Sequence, residues 1–108
     1  MSRPHPLREP LRQLIAVLDK ERQAIAGLEL DDITIAAQTK LAVCGKIEQI
    51  SADDLDDETR AMILSARDMN ETNRQIRNLI AANIETRIKT IAGSSNLYGR
   101  PKMSALHG

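Results

Sequence analysis

The spacing of the aliphatic residues constrains this chain more than any other feature. Intervals that alternate between three and four residues place side chains on one helical face and form the a/d seam by which helices pair. The chain has no Phe or Trp and one Tyr, so Leu, Ile, Val, Ala and Met must supply the core. The first seam comprises Leu7, Leu11, Leu14, Leu18, Ile25 and Leu28, with Glu21 in the intervening turn. The pattern predicts paired α-helices.

The first helix is expected to span about residues 7–50, with a change of register near residues 27–32. Pro10 fits a first helical turn. Gly27 and the pair Asp31-Asp32 mark the change, which we interpret as a stutter or bend because no Pro interrupts the pattern. A new helix capped by Asp32 is the alternative. Beyond it the apolar positions are Ile33, Ala37, Leu41, Cys44, Ile47 and Ile50.

The acidic segment 51–58 ends the first pattern. Its five carboxylates lack the alternating ligands and the turn glycine of a calcium-binding loop. Negative charge is favourable at the start of a helix, and either Ser51 or Asp56 can cap one. We therefore expect this segment to begin the second helix.

The second helix is expected over about residues 56–92, followed by a short, flexible tail at 93–108, because Gly93 and Ser-Ser-Asn form a stop signal. Asn73 falls on its seam. A polar amide there fixes the register of helix pairing, or alternatively turns to the rim or bonds a neighbouring backbone group. The seam comprises Met62, Ala66, Met69, Asn73, Ile76, Ile80, Ile84, Ile88 and Ile91.

These patterns predict one all-α domain over residues 1–108, a long antiparallel helical hairpin of coiled-coil type. Charge supports the hairpin: residues 1–58 hold 7 Lys/Arg and 12 Asp/Glu, whereas residues 59–108 hold 8 and 3. Two helices cannot hide all of their apolar surface, and additional apolar residues widen both seams. The widening residues are Ile15, Leu30, Ile35, Val43, Ile63, Leu64 and Leu79. We expect the excess to bind another amphipathic helix.

The residue types argue against catalysis and cofactor binding. His5 and His107 lie near the termini without metal-ligand spacing, and no phosphate-binding glycine loop is present. Cys44 lies in an apolar stripe, as expected of a reduced, buried thiol. No apolar run suits a membrane span or a cleaved signal, and the cations are too dispersed to favour nucleic acid. We therefore expect a cytoplasmic binding protein with neither metal nor cofactor.

Two short motifs carry a family resemblance. Asn78-Leu79-Ile80, the following aliphatic helix and Leu97-Tyr98-Gly99 resemble the C-terminal part of FlgN-like flagellar type III export chaperones. Arg100-Pro101-Lys102 departs from that pattern, because the family often continues with Pro and a second Gly. The front half is also similar to the family, at Leu14, Leu18, Glu21, Asp31, Asp32 and Lys40.

The resemblance implies a cytoplasmic chaperone that covers the amphipathic terminal helices of hook–filament junction subunits and delivers them to the export gate. It implies gate docking by Tyr98 and Gly99. The client-binding positions it implies are Ile80, Ile84, Ile88, Ile91 and Leu97. A homo-oligomeric structural coiled-coil protein is the alternative, and a nucleic-acid-associated helical protein is the third hypothesis.

Overall fold

The computed structural model describes residues 3–97, and this part of the chain is helical with no strand. Helix α1 spans Arg8–Ala26, α2 spans Leu30–Glu48 and α3 spans Asp57–Leu97. The all-α prediction is therefore confirmed. The chain divides into two compact units, Met1–Ile76 and Arg77–Gly108, which are described separately.

The structure divides the predicted first helix of residues 7–50 into α1 and α2. The N–H of Glu29 donates to the carbonyl of Ala24 at 3.0 Å, and that of Leu28 donates to Ile25 at 3.1 Å. These bonds, with Leu28 in the left-handed region at φ 54°, form a Schellman turn that ends α1. Asp32 lies in the first turn of α2, which follows Glu29, so the new helix begins before the cap considered from sequence.

Helices α1, α2 and the first half of α3 form a three-helix bundle within residues 1–76. The short turn folds α2 back antiparallel to α1, and these two helices have the closest backbones. Contacts of Arg8 with Glu58 and of Leu18 with Asn73 show that α3 runs parallel to α1. The buried hydrophobic residues are Leu7, Leu11, Leu18, Ala24, Ile25, Ala36, Val43 and Ala66.

Hydrogen bonds at one end of the bundle hold the α2–α3 loop. The Asp56 carboxylate accepts the N–H of Thr59 at 2.7 Å, so one of the two predicted caps begins α3. His5 joins the N-terminal segment to this loop, since its Nε2 donates to the Asp53 carbonyl at 2.8 Å. Arg8 and Glu58 add an ion pair at 2.6 Å. The acidic segment therefore starts a helix, as its sequence indicates.

Within the second unit, α3 continues from Arg77 to Leu97. Gly93 does not end it, contrary to the predicted boundary near residue 92, because one glycine costs a helix only about 1 kcal/mol. Glu85 and Lys89 form an i,i+4 ion pair at 3.3 Å on this segment. Of the predicted tail of residues 93–108, residues 93–97 thus belong to α3, and residues 98–108 lie outside the described part.

The Asp56 cap predicts a pH-dependent contribution to stability. Hydrogen bonding with Thr59 holds the pKa of the Asp56 carboxyl below its ordinary value. A lowered folded-state pKa stabilises the fold above the unfolded-state pKa, and this stabilisation is lost as the pH falls through the folded-state pKa. We expect Asp56→Ala to unfold at lower temperature than the parent protein at neutral pH, and the difference to shrink below about pH 4.

Asp56→Asn is the matched control, because its amide oxygen can cap α3 without titrating. Thermal unfolding followed by circular dichroism at several pH values measures both variants. A constant deficit of Asp56→Ala down to strongly acidic pH would show that the carboxylate form is not responsible.

Candidate helix-binding surface

The second unit presents an apolar stripe, defined here as Ile80, Ile84, Ile88 and Ile91. The structure leaves Ile84, Ile88 and Ile91 exposed and Ile80 half-buried. Their spacing of four, four and three residues places them on one side of α3. Single exposed aliphatic residues are ordinary, whereas a contiguous row is typical of a surface that another molecule covers.

The other predicted site residues are placed less fully. Leu97 is the last residue of α3, but its side chain lies outside the described part. Tyr98 and Gly99, the predicted gate-docking residues, also lie outside the described residues. The structure thus places four of the five predicted client-binding side chains, and those four share one stripe.

Asn73 is fully buried in the first unit and contacts α1 through three hydrogen bonds. Its Nδ2 donates to the Leu18 carbonyl at 2.8 Å and to Glu21 Oε1 at 2.9 Å. Its Oδ1 accepts from Arg22 Nε at 3.2 Å. The amide therefore bonds both a backbone group and side chains of α1 in a single position.

Glu21 is the centre of a polar cluster, defined here as Glu21, Arg22, Lys40, Asn70 and Asn73. Its carboxylate is fully buried, and Lys40 Nζ approaches its two oxygens at 3.0 and 3.3 Å. The same ammonium group donates to Asn70 Oδ1 at 3.0 Å. A buried charge is tolerated when it is paired and hydrogen-bonded, so this cluster ties α1 to both other helices.

An apolar cavity of about 490 Å³ opens between α2 and α3, and α1 forms its floor. We call it the bundle groove. One end meets the polar cluster at Lys40 and Asn70, and the other meets the loop at Ile50 and Ala52. Its apolar lining includes Leu11, Leu14, Leu41, Cys44, Ile47 and Ile63. The three helices of the bundle thus leave the bundle groove open to solvent.

Two further findings bear on the chemistry of these surfaces. Residues 3–97 contain no group of three His, Cys, Asp or Glu side chains arranged to hold a metal ion. Within the same range, none of the helices combines the length and apolar character that crossing a bilayer requires. The stripe is aliphatic, and the bundle groove is mostly apolar with Lys40, Glu48, Arg67 and Asn70 in its lining. This composition suits binding by burial.

Helical periodicity predicts neither the Glu21–Lys40 pair nor the bundle groove. A signal for the first was present, because Glu21 occupies a seam position where an apolar residue is expected. A charged seam residue indicates a buried partner. Its partner lies 19 residues away across a turn, and helical periodicity does not reach across turns.

The buried pair predicts a strong effect of removing its cation. Lys40→Met takes a principal ionic partner from a carboxylate that stays buried, so we expect a loss of roughly 3 kcal/mol in the free energy of unfolding. Glu21→Gln combined with Lys40→Met removes both charges and should be less destabilised than Lys40→Met alone. Urea denaturation measures the free energy of unfolding of the parent protein, Lys40→Met and the double variant. Equal stability of the single and double variants would contradict a buried, paired carboxylate.

Comparison with known proteins gives no relative: no family model, curated protein or solved structure matches the chain.

Proposed function

We propose that this protein is a cytoplasmic flagellar export chaperone, a binding protein and not an enzyme. Its apolar stripe would cover the amphipathic terminal helices of hook–filament junction subunits before export. The observation that carries the proposal is the exposure of Ile84, Ile88 and Ile91 in a row on α3. The resemblance of the C-terminal motifs to FlgN-like chaperones supports the same function.

The chemistry of the stripe suits a helical client. An amphipathic helix presents apolar residues at three- and four-residue spacing, which interlocks with a row of the same spacing. Burying one isoleucine side chain contributes about 1.5–3 kcal/mol. Several such side chains can offset the cost of association and still leave a complex that releases its client.

Gate delivery is assigned in this proposal to Tyr98 and Gly99, which follow α3 in sequence. Aromatic residues supply large contact area at low entropic cost, and Tyr98 is the single aromatic residue of the chain. The proposal separates two tasks, client binding by the stripe and gate docking by the following segment. Each can be removed by its own substitution.

Ile88→Asp tests client binding. A carboxylate in the centre of the stripe cannot be buried against an apolar helix, so we expect at least about tenfold weaker affinity, or 1.4 kcal/mol. Isothermal titration calorimetry with a synthetic peptide of a junction subunit's terminal helix measures it. Leu79→Asp is the matched control. Leu79 is exposed to a similar extent, 71% against 61% for Ile88, but lies off the stripe.

Equal weakening by Leu79→Asp and Ile88→Asp would contradict a specific stripe. No binding by the parent protein would favour the alternative, a homo-oligomeric structural protein. Circular dichroism of both variants shows that the comparison is between folded proteins.

Tyr98→Ala tests gate docking. The substitution lies outside the stripe, so client affinity should stay within about twofold of the parent value. Export of the junction subunits should fall strongly in cells that carry this variant. Normal export would remove Tyr98 from the proposal, and loss of the helical circular dichroism signal would place Tyr98 in the folded core instead.

A further inference from the structure

We infer that the bundle groove binds the α3 segment of residues 77–97 from a second copy of this chain. Self-association of this kind goes beyond client binding. It follows from three properties of the groove and the stripe, which are their shape, their length and their charge.

The groove has the form of a site for one additional helix. Its floor is a row of leucines spaced by four, three and four residues, which are Leu7 just before α1 and Leu11, Leu14 and Leu18 within it. Leu7, Leu11 and Leu18 are already buried in the single chain. The apolar surface open to another helix therefore lies mainly on Leu41 and on the half-buried side chains around this row, which are Leu14, Cys44, Ile47 and Ile63. Leu41 of α2 also lines the groove, and its side chain is 73% exposed, which is a large apolar surface for one residue. A fourth helix would cover Leu41 and the half-buried lining beside it.

The lengths of the two surfaces agree. The floor extends from Leu7 to Leu18, an axial rise of about 17 Å at 1.5 Å per residue. The stripe extends from Ile80 to Ile91, which is also about 17 Å. The second copy therefore supplies an aliphatic row that can fill the groove from end to end.

Charge also favours this occupant. Residues 1–76 contain 10 Lys/Arg and 14 Asp/Glu, whereas residues 77–108 contain 5 and 1. The charged residues that line the groove itself are Lys40, Glu48 and Arg67. At its loop end the lining residue Ala52 is followed in sequence by Asp53 and Asp54, and the C-terminal part of the stripe carries Arg87 and Lys89. Opposite charges at that end orient the incoming helix antiparallel to α1.

Symmetry allows the association to close. If each copy inserts its segment into the groove of the other, two identical contacts form and the product is a dimer. Because the stripe is then covered, a client helix and a second copy compete for it. This consequence rests on the proposed function, whereas the self-association does not.

Sedimentation velocity of the full chain over a wide concentration series tests the inference without any client. We expect a reversible monomer–dimer equilibrium. Leu41→Asp in the groove and Ile88→Asp in the stripe should each weaken dimerisation at least about tenfold. Leu30→Asp is the control for the groove, since Leu30 lies on the same helix and is 76% exposed but does not line the groove. Leu79→Asp is again the control for the stripe.

A mixing experiment distinguishes this contact from pairing of two stripes. Leu41→Asp keeps an intact stripe and Ile88→Asp keeps an intact groove, so an equimolar mixture should form heterodimers that neither variant forms alone. The inference is overturned by a protein that stays monomeric at every concentration, by dimerisation that Leu41→Asp leaves unchanged, or by a mixture that stays monomeric. Because the client peptide is absent, any of these results leaves the proposed chaperone function standing.

Discussion

The buried carboxylate of Glu21 is the constraint on which the bundle depends. It lies on α1, and two of its hydrogen-bond donors, Lys40 and Asn73, come from α2 and α3. A displacement of either helix by one turn would move a donor about 5 Å and leave buried charge poorly paired. The apolar contacts tolerate many arrangements, whereas this cluster requires one. Specific helix order and register therefore come from polar side chains within an otherwise aliphatic core.

The same arrangement explains why a groove remains. Both α2 and α3 are bonded to Glu21 on α1, and Lys40 also reaches Asn70 of α3 at that end of the bundle. At the other end, the loop before α3 is held by Asp56 and His5. Between these two anchors the lining is mostly aliphatic, with Glu48 and Arg67 as its charged members, and the chain contains no Phe or Trp to fill it. Polar contacts thus hold the helices together at both ends of the bundle groove.

Local sequence patterns predict much of this fold. Aliphatic periodicity predicts helices over the regions where α1, α2 and α3 lie, and the acidic segment predicts a cap at either Ser51 or Asp56, of which the structure uses Asp56. The aliphatic pattern predicts a bend near residues 27–32, whereas the structure ends α1 there, because the left-handed conformation falls on Leu28 and the glycine lies one residue earlier. The continuation of α3 past Gly93 depends on whether the helix can offset the cost of one glycine, which is about 1 kcal/mol. The bundle groove depends on three helices together, which no local pattern encodes.

The two apolar rows of α3 differ in a way that bears on function. The row in residues 57–76 contains Asn73, whose hydrogen bonds to α1 favour one partner in one register. The stripe from Ile80 to Ile91 contains isoleucine alone and has no polar residue to select a partner. Isoleucine is also a poorer helix former than leucine, and most helical stability in proteins comes from packing of an apolar face. A partner that buries the stripe would thus stabilise the helix that binds it, and several amphipathic helices could do so.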